Sequence, residues 1–224
     1  IKPIGAADVR IGNPDAPDKP FRAMLIIRND AGYLRLSELL TAAYVGKDRN
    51  VHHAELNPEW LENGDNSGLI CLSGAHYGEV GVNLLNGNED AARTAALKYA
   101  AWFPDAFYME LQRLPERPEW EACVSGSVKL AEELGLPVVA THPTQFMSRD
   151  DFNAHEARVC IAGGWVLTDK KRPRDFTPGQ FFIPPETMAE RFADLPEALE
   201  NTVEIAKRCN LHITLGKNFL PLFP

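Results

Sequence analysis

Short apolar runs alternate along this chain with longer stretches of helical period, and that alternation predicts most of its elements. Residues 2–11 and 21–28 (FRAMLIIR) read as strands, separated by a turn-rich loop around Asn13-Pro14-Asp15. Asn29-Asp30 predicts a capped helix running to about Tyr44, with Leu34, Leu36, Leu39 and Leu40 as its apolar content. A polar stretch follows, then a short helix opened by Pro58. Residues 68–73 (GLICLS) predict a buried strand. Beyond it come a short helix over 79–85, ended by Asn86-Gly87, and a longer one from Asn88 or Asp90 to Trp102-Phe103. Residues 107–111 (FYMEL) read as a strand, 119–134 as a helix ended by Gly135, and 137–141 as a further buried strand. Ser148 starts a helix that carries His155 and Glu156.

Past Ile161 the pattern changes. Residues 165–185 read as an excursion with little regular structure, followed by a short helix over 186–192. A clear helix spans 196–209, with Leu199, Val203, Ile205 and Ala206 on its apolar side. Residues 211–215 read as a last strand, and 219–224 (FLPLFP) as an apolar tail that docks on something. Strands alternating with helices predict an α/β fold with right-handed crossovers and a parallel sheet or barrel. In such folds chemistry sits just beyond the carboxyl ends of the strands. The polar residues after Thr141 therefore mark the first place to look.

Composition narrows the class. At 224 residues, 45% hydrophobic and 24% charged, the chain has enough core for one globular domain. A net charge of −8 is a poor footprint for gripping a phosphate backbone. The four cysteines (Cys71, Cys123, Cys160 and Cys209) have no CxxC spacing and read as buried free thiols of a reducing cytoplasm. No run approaches the ~20 apolar residues a membrane helix needs, and no signal peptide is recognisable. Beginning at Ile1 without a methionine and stopping at Pro224, the chain reads as cut from something larger.

Candidate chemistry is sparse. His76 and His142 each follow a predicted strand, and Asp8 closes another as a carboxylate donor. Together they form the one residual polar site on offer, against the simpler reading of polar loop residues. His52-His53 lies in a polar loop, His155 reads as a helix-packing residue, and His212 as structural. The chain has no HxH, HxD or DxH, no GxSxG elbow and no phosphate-cradling loop. Lys170, Lys171, Arg172 and Arg174 form the one basic cluster: a solvated loop, or a contact for phosphate or an acidic partner.

Five stretches taken together carry a resemblance: GLICLSGAHYGEVG, GLPVVATHPTQFMSRDDFNAHEARVCIA, TDKKRPRDFTPGQFF, LPEALENTVEIAKRCN and LGKNFLPLFP. In order and spacing they resemble the PHP (polymerase and histidinol phosphatase) domain at the amino-terminal end of bacterial replicative DNA polymerase III alpha subunits. The resemblance covers nearly the whole chain, so residues 1–224 are expected to form one PHP domain, with 165–224 facing the polymerase core. It implies a distorted seven-stranded, TIM-like β/α barrel whose first strands, with their HxH motif, would lie upstream of Ile1.

The resemblance also implies where metal ligands would stand in relatives that keep them. Asp8 retains a carboxylate. Arg22 stands where a His is usual and Ala75 where a Cys is usual. Pro143 and Gln145 replace an Asp and a His, and His142 an Asn. Proline and alanine offer no donor, and arginine is a permanent cation. The expectation is therefore a degenerate site without metal or other cofactor, in which Arg22 pairs with Asp8.

The implied role is structural. This part of the subunit would pack on the polymerase core and dock the proofreading exonuclease (epsilon) subunit. The parent, a magnesium-dependent DNA-directed DNA polymerase, would do the chemistry and contact DNA. The alternative is an active metal-dependent phosphoesterase, a pyrophosphatase or proofreading nuclease, using Asp8, His76, His142 and ligands from upstream. Direct DNA binding through Lys170, Lys171, Arg172 and Arg174 is a third reading.

Overall fold

The computed structural model describes residues 2–47, 49–218 and 220. Among them five strands form one sheet in the order β1-β2-β3-β4-β5. The strands are β1 (Ala6–Ile11), β2 (Phe21–Ile27), β3 (Leu69–Leu72), β4 (Phe107–Gln112) and β5 (Val138–Thr141). Eight helices accompany them: α1 (Asp30–Val45), α2 (Pro58–Glu62), α3 (Glu79–Leu85), α4 (Glu89–Trp102), α5 (Trp120–Leu134), α6 (Phe152–Gly163), α7 (Pro185–Arg191) and α8 (Pro196–Arg208).

The strand directions correct the expectation of a parallel sheet. β3, β4 and β5 run parallel, but β1–β2 and β2–β3 are antiparallel. The loop between β1 and β2 is too short for a helical crossover, so β2 must double back. The described strands form an open five-stranded ladder with β1 and β5 at its ends, a mixed α/β architecture.

Local chemistry accounts for the elements. Asn29 caps α1, its Oδ1 accepting from the Gly32 amide at 3.0 Å. Gly32 is required by contact: a Cβ there would lie 1.8 Å from the Gly68 carbonyl oxygen. Gly135, in the left-handed region, ends α5. Pro196 opens α8, which packs along β5 and donates from Asn201 Nδ2 to the Val138 carbonyl at 2.8 Å.

β3 is buried along its whole length, as a strand covered on both faces should be. β1 instead alternates: Val9 and Ile11 enter the core, while Asp8 and Arg10 face the other way. That alternation creates a polar inner face next to an apolar one.

Three helical and terminal expectations change. Leu34 and Val203 are exposed, because α1 bears its core contact through Leu36 and Leu39 and α8 through Ala198 and Ile205. Residues 211–215 form no strand: among the described residues no strand pairs with them, and Ile213 and Leu215 are exposed. Of the tail, Phe219 and residues 221–224 lie outside the described residues, and Leu220 is 88% exposed. No described helix is long and apolar enough to cross a membrane.

Candidate functional site

The polar inner face opens into a cavity of about 580 Å³ walled by the ends of all five strands and by the loop before α7. Asp8, Arg22, Glu110, Thr141, His142 and Gln145 line it.

Asp8 and Arg22 meet because of the β1–β2 register. Asp8 stands opposite Met24 and Arg10 opposite Arg22, so Asp8 and Arg22 are diagonal neighbours on one face. Arg22 Nε donates to Asp8 Oδ1 at 3.1 Å, and Nη2 donates to Oδ2. The expected pair is thus present, as a two-pronged fork. The Asp8 hydrogen bond is the main cause holding the Arg22 pKa above its ordinary value. The guanidinium also lies 5.3 Å from the Tyr77 ring centre.

Glu110 is the residue that sequence reading passed over. It is buried in the middle of an apolar strand. Both carboxylate oxygens are engaged: Oε2 by the Gly74 amide at 3.1 Å, Oε1 by the Thr141 hydroxyl at 2.6 Å and by Gln112 Nε2 at 3.1 Å. Its own amide donates to Ser73 Oγ at 2.9 Å. Burial raises its pKa, and the three hydrogen bonds partly oppose that rise. Glu110 therefore ties the ends of β3, β4 and β5 together. Its one signal in the sequence is a carboxylate interrupting FYMEL.

The Ser73-Gly74 turn makes this geometry. Gly74 has φ +78°, and a Cβ there would meet the Arg22 carbonyl oxygen at 2.0 Å. Only glycine lets the turn lie against β2 while aiming its amide at Glu110. Ala75, next in line, is buried and also has a positive φ of 46°. His76 is buried but does not line the cavity; it stacks on Trp120, ring centres 3.6 Å apart. Neither ring nitrogen has a partner, and burial, reinforced by Arg22 and Arg117, lowers its pKa to about 4.

His142 sits on the rim as a neutral clamp. Its Nε2–H donates to the Phe181 carbonyl at 2.9 Å, and its Nδ1 accepts from Arg191 Nη1 at 3.2 Å. Burial, then the Arg191 charge, lowers its pKa. The Pro143 carbonyl accepts from Gln180 Nε2 at 3.2 Å, and the Gln145 amide donates to the Gln180 carbonyl at 2.8 Å.

A divalent ion does not fit these residues. Both Asp8 oxygens hold a guanidinium, both Glu110 oxygens accept hydrogen bonds, and both His142 nitrogens are committed. Arg22 adds a fixed positive charge in the same space. Among the described residues no group of three or more His, Cys, Asp or Glu converges as a metal centre requires. The proposed residual trio does not assemble either, since His76 lies behind Trp120.

The basic cluster splits. Lys170, Lys171 and Arg174 are exposed. Arg172 is buried and pairs with Glu156 at 2.5 Å, which removes it from any surface contact. That buried pair, with Arg172 Nε donating to the Leu167 carbonyl at 3.2 Å, fastens the loop after α6. His155 packs against Phe146 and Phe176, as expected of a helix-packing residue. His53 pairs with Glu55, and the His212 amide donates to Asp30 Oδ1 at 3.3 Å. All four cysteines are buried and free.

Comparison with known proteins agrees with the geometry. The PHP domain family model matches residues 1–114. Over 224 residues the chain is 98% identical to the DNA polymerase III subunit alpha of Neisseria meningitidis serogroup A, strain Z2491, covering all of this chain and 20% of that protein. It is 45% identical to the corresponding subunit of Pseudomonas fluorescens and 43% identical to that of Escherichia coli K12, covering 19% of each. The chain thus spans about a fifth of the length of these relatives. With a polar inner face at its strand ends and a family match over half its length, this chain belongs to the PHP domain family.

Proposed function

We propose that this chain is a metal-free scaffold and docking domain of a bacterial DNA polymerase III alpha subunit. The observation that supports this reading most is the Asp8–Arg22 fork: a protein-borne cation occupies the carboxylate that, by the resemblance, would bind a divalent ion in relatives with intact donors. The parent, on this reading, is a DNA-directed DNA polymerase of the bacterial cytoplasm that uses magnesium in a catalytic site elsewhere in the polypeptide. This domain contributes no catalytic residue, takes no cofactor and reaches DNA only through its parent.

Its partners are the rest of the subunit and the proofreading exonuclease (epsilon) subunit. The loop fastened by Arg172 and Glu156 supports this role, because it presents Trp165, Val166 and Leu167 to solvent beside the exposed Ile161. Apolar side chains displayed by an anchored loop mark a contact surface.

The test uses the full-length subunit. With manganese or zinc added, release of phosphate from pyrophosphate should stay at background, and Asp8→Ala should change nothing. Turnover that vanishes in Asp8→Ala would instead establish the phosphoesterase reading. Trp165→Glu with Leu167→Glu should weaken binding of the exonuclease subunit at least tenfold, while primer extension persists. Unchanged binding would remove this surface from the proposal.

A further inference from the structure

The inner-face cavity of about 580 Å³ has polar groups that the Asp8–Arg22 fork and the Glu110 ties leave unused. On its floor, Gln112 spends Nε2 on Glu110 and Thr141, and its Oε1 has no partner among the described residues. On its rim, the Asp175 carboxylate and the Gln145 carboxamide are exposed and unbonded among the described residues. Of Asp175 only the backbone carbonyl is taken, by Arg117 Nη2 at 3.1 Å. Leu72, Trp120 and Phe176 add an apolar and aromatic wall.

Charge fixes the sign of an occupant. Three carboxyl groups line the cavity, Asp8, Glu110 and Asp175, against one permanent cation, Arg22. Arg22 cancels Asp8, and His142 is neutral. Burial raises the Glu110 pKa; even with Glu110 protonated, the Asp175 charge is left over. The cations behind the wall do not supply the balance. Arg113 pairs with Glu121 and Asp194, Arg117 faces Glu119 at 3.6 Å, and Arg191 lies in the field of Glu116. The count disfavours an anion and favours a monocation.

We infer that this cavity takes a guanidinium group on an aliphatic stem, as an arginine side chain or a free alkylguanidine presents it. Asp175 meets the charge, Gln112 Oε1 and Gln145 Oε1 are further acceptors for its N–H groups, and the Leu72–Trp120–Phe176 wall takes the stem. A guanidinium suits this wall better than an ammonium, because it is planar, weakly hydrated and stacks on aromatic rings. Arg22 already lies over Tyr77 in this way. The site exists only on the metal-free reading, since a divalent ion at Asp8 would fill the same space and reverse the charge count.

The probes are N-acetyl-arginine methylamide and agmatine against the full-length polypeptide with magnesium present, read by ligand-observed saturation-transfer NMR. N-acetyl-citrulline methylamide, of the same shape without the charge, is the control. The arginine compound should show transfer on its stem methylenes, and the citrulline compound about fivefold less. Stronger transfer to agmatine would assign the site to a free alkylguanidine, and stronger transfer to the arginine compound to a side chain of a protein partner. Asp175→Asn changes an exposed side chain and keeps the carbonyl that Arg117 bonds, so the fold is retained. It should cut the signal of both guanidinium compounds about fivefold. Equal transfer to the arginine and citrulline compounds, or an unchanged signal in Asp175→Asn, would overturn the assignment. Neither result touches the metal-free reading, which phosphate release and the response to EDTA decide.

Discussion

Arg22 and Asp8 are both nearly half exposed, with side-chain accessibilities of 46% and 42%. Ion pairs so placed contribute roughly 0–1 kcal/mol to stability. On the metal-free reading proposed above, the fork matters for the charge it places in the cavity more than for holding the sheet together. His76 is a different case, because its stacked ring must stay neutral to remain buried. Its folded pKa, about 4, lies below the ordinary 6.5, so the unfolded chain takes up the proton first as pH falls. The contribution is complete above about pH 6.5 and is lost as pH drops towards 4, a slope of about 2–3 kcal/mol from this residue. His76→Phe keeps the stack on Trp120 and removes the titration. Its urea-unfolding free energy should fall less than the parent's between pH 7 and pH 5; parallel slopes would show that His76 is not the group responsible.

Among the elements, turns decide what strands can present. Gly74 combines a left-handed backbone with a 2.0 Å approach to the Arg22 carbonyl oxygen. Gly74→Ala should therefore cost on the order of 3 kcal/mol or more, seen as a lowered thermal midpoint, and should loosen Glu110 by moving its amide donor. A loss below about 1 kcal/mol would mean that the turn relaxes freely.

Most elements were legible because their signals are local. Asn29 before α1, Gly135 after α5 and the unbroken apolar run of β3 each announce themselves within a few residues. Strand direction was not legible, since β2 pairs antiparallel with both of its neighbours and nothing local says so. Residues 211–215 carry strand-like composition but find no ladder, which only tertiary context reveals. In the cavity, Asp8 and Arg22 were readable through the resemblance. Glu110 was hidden because a carboxylate in an apolar strand looks like an edge residue until its partners arrive from Gly74, Gln112 and Thr141. Arg172 misled for the opposite reason: it sits in a basic run, but its partner, Glu156, lies on α6.

For the molecule as a whole, the described sheet ends at β1 and β5, and side-chain pairs such as Asp8–Arg22 and Gly74–Glu110 line its inner face. The domains of this family that hold metals should lose stability when stripped of them, because site assembly is coupled to folding. Here EDTA should leave the thermal midpoint of the full-length polypeptide within about 1 °C of its untreated value, measured on the transition that tracks this domain. A fall of several degrees, reversed by zinc or manganese, would overturn the metal-free reading. The Asp8–Arg22 fork then has a consequence for physiology. On the metal-free reading proposed above, a polypeptide made while its cell is starved of zinc or manganese would carry this domain in the same shape as one made in plenty, because the positive charge of Arg22 is translated with the chain.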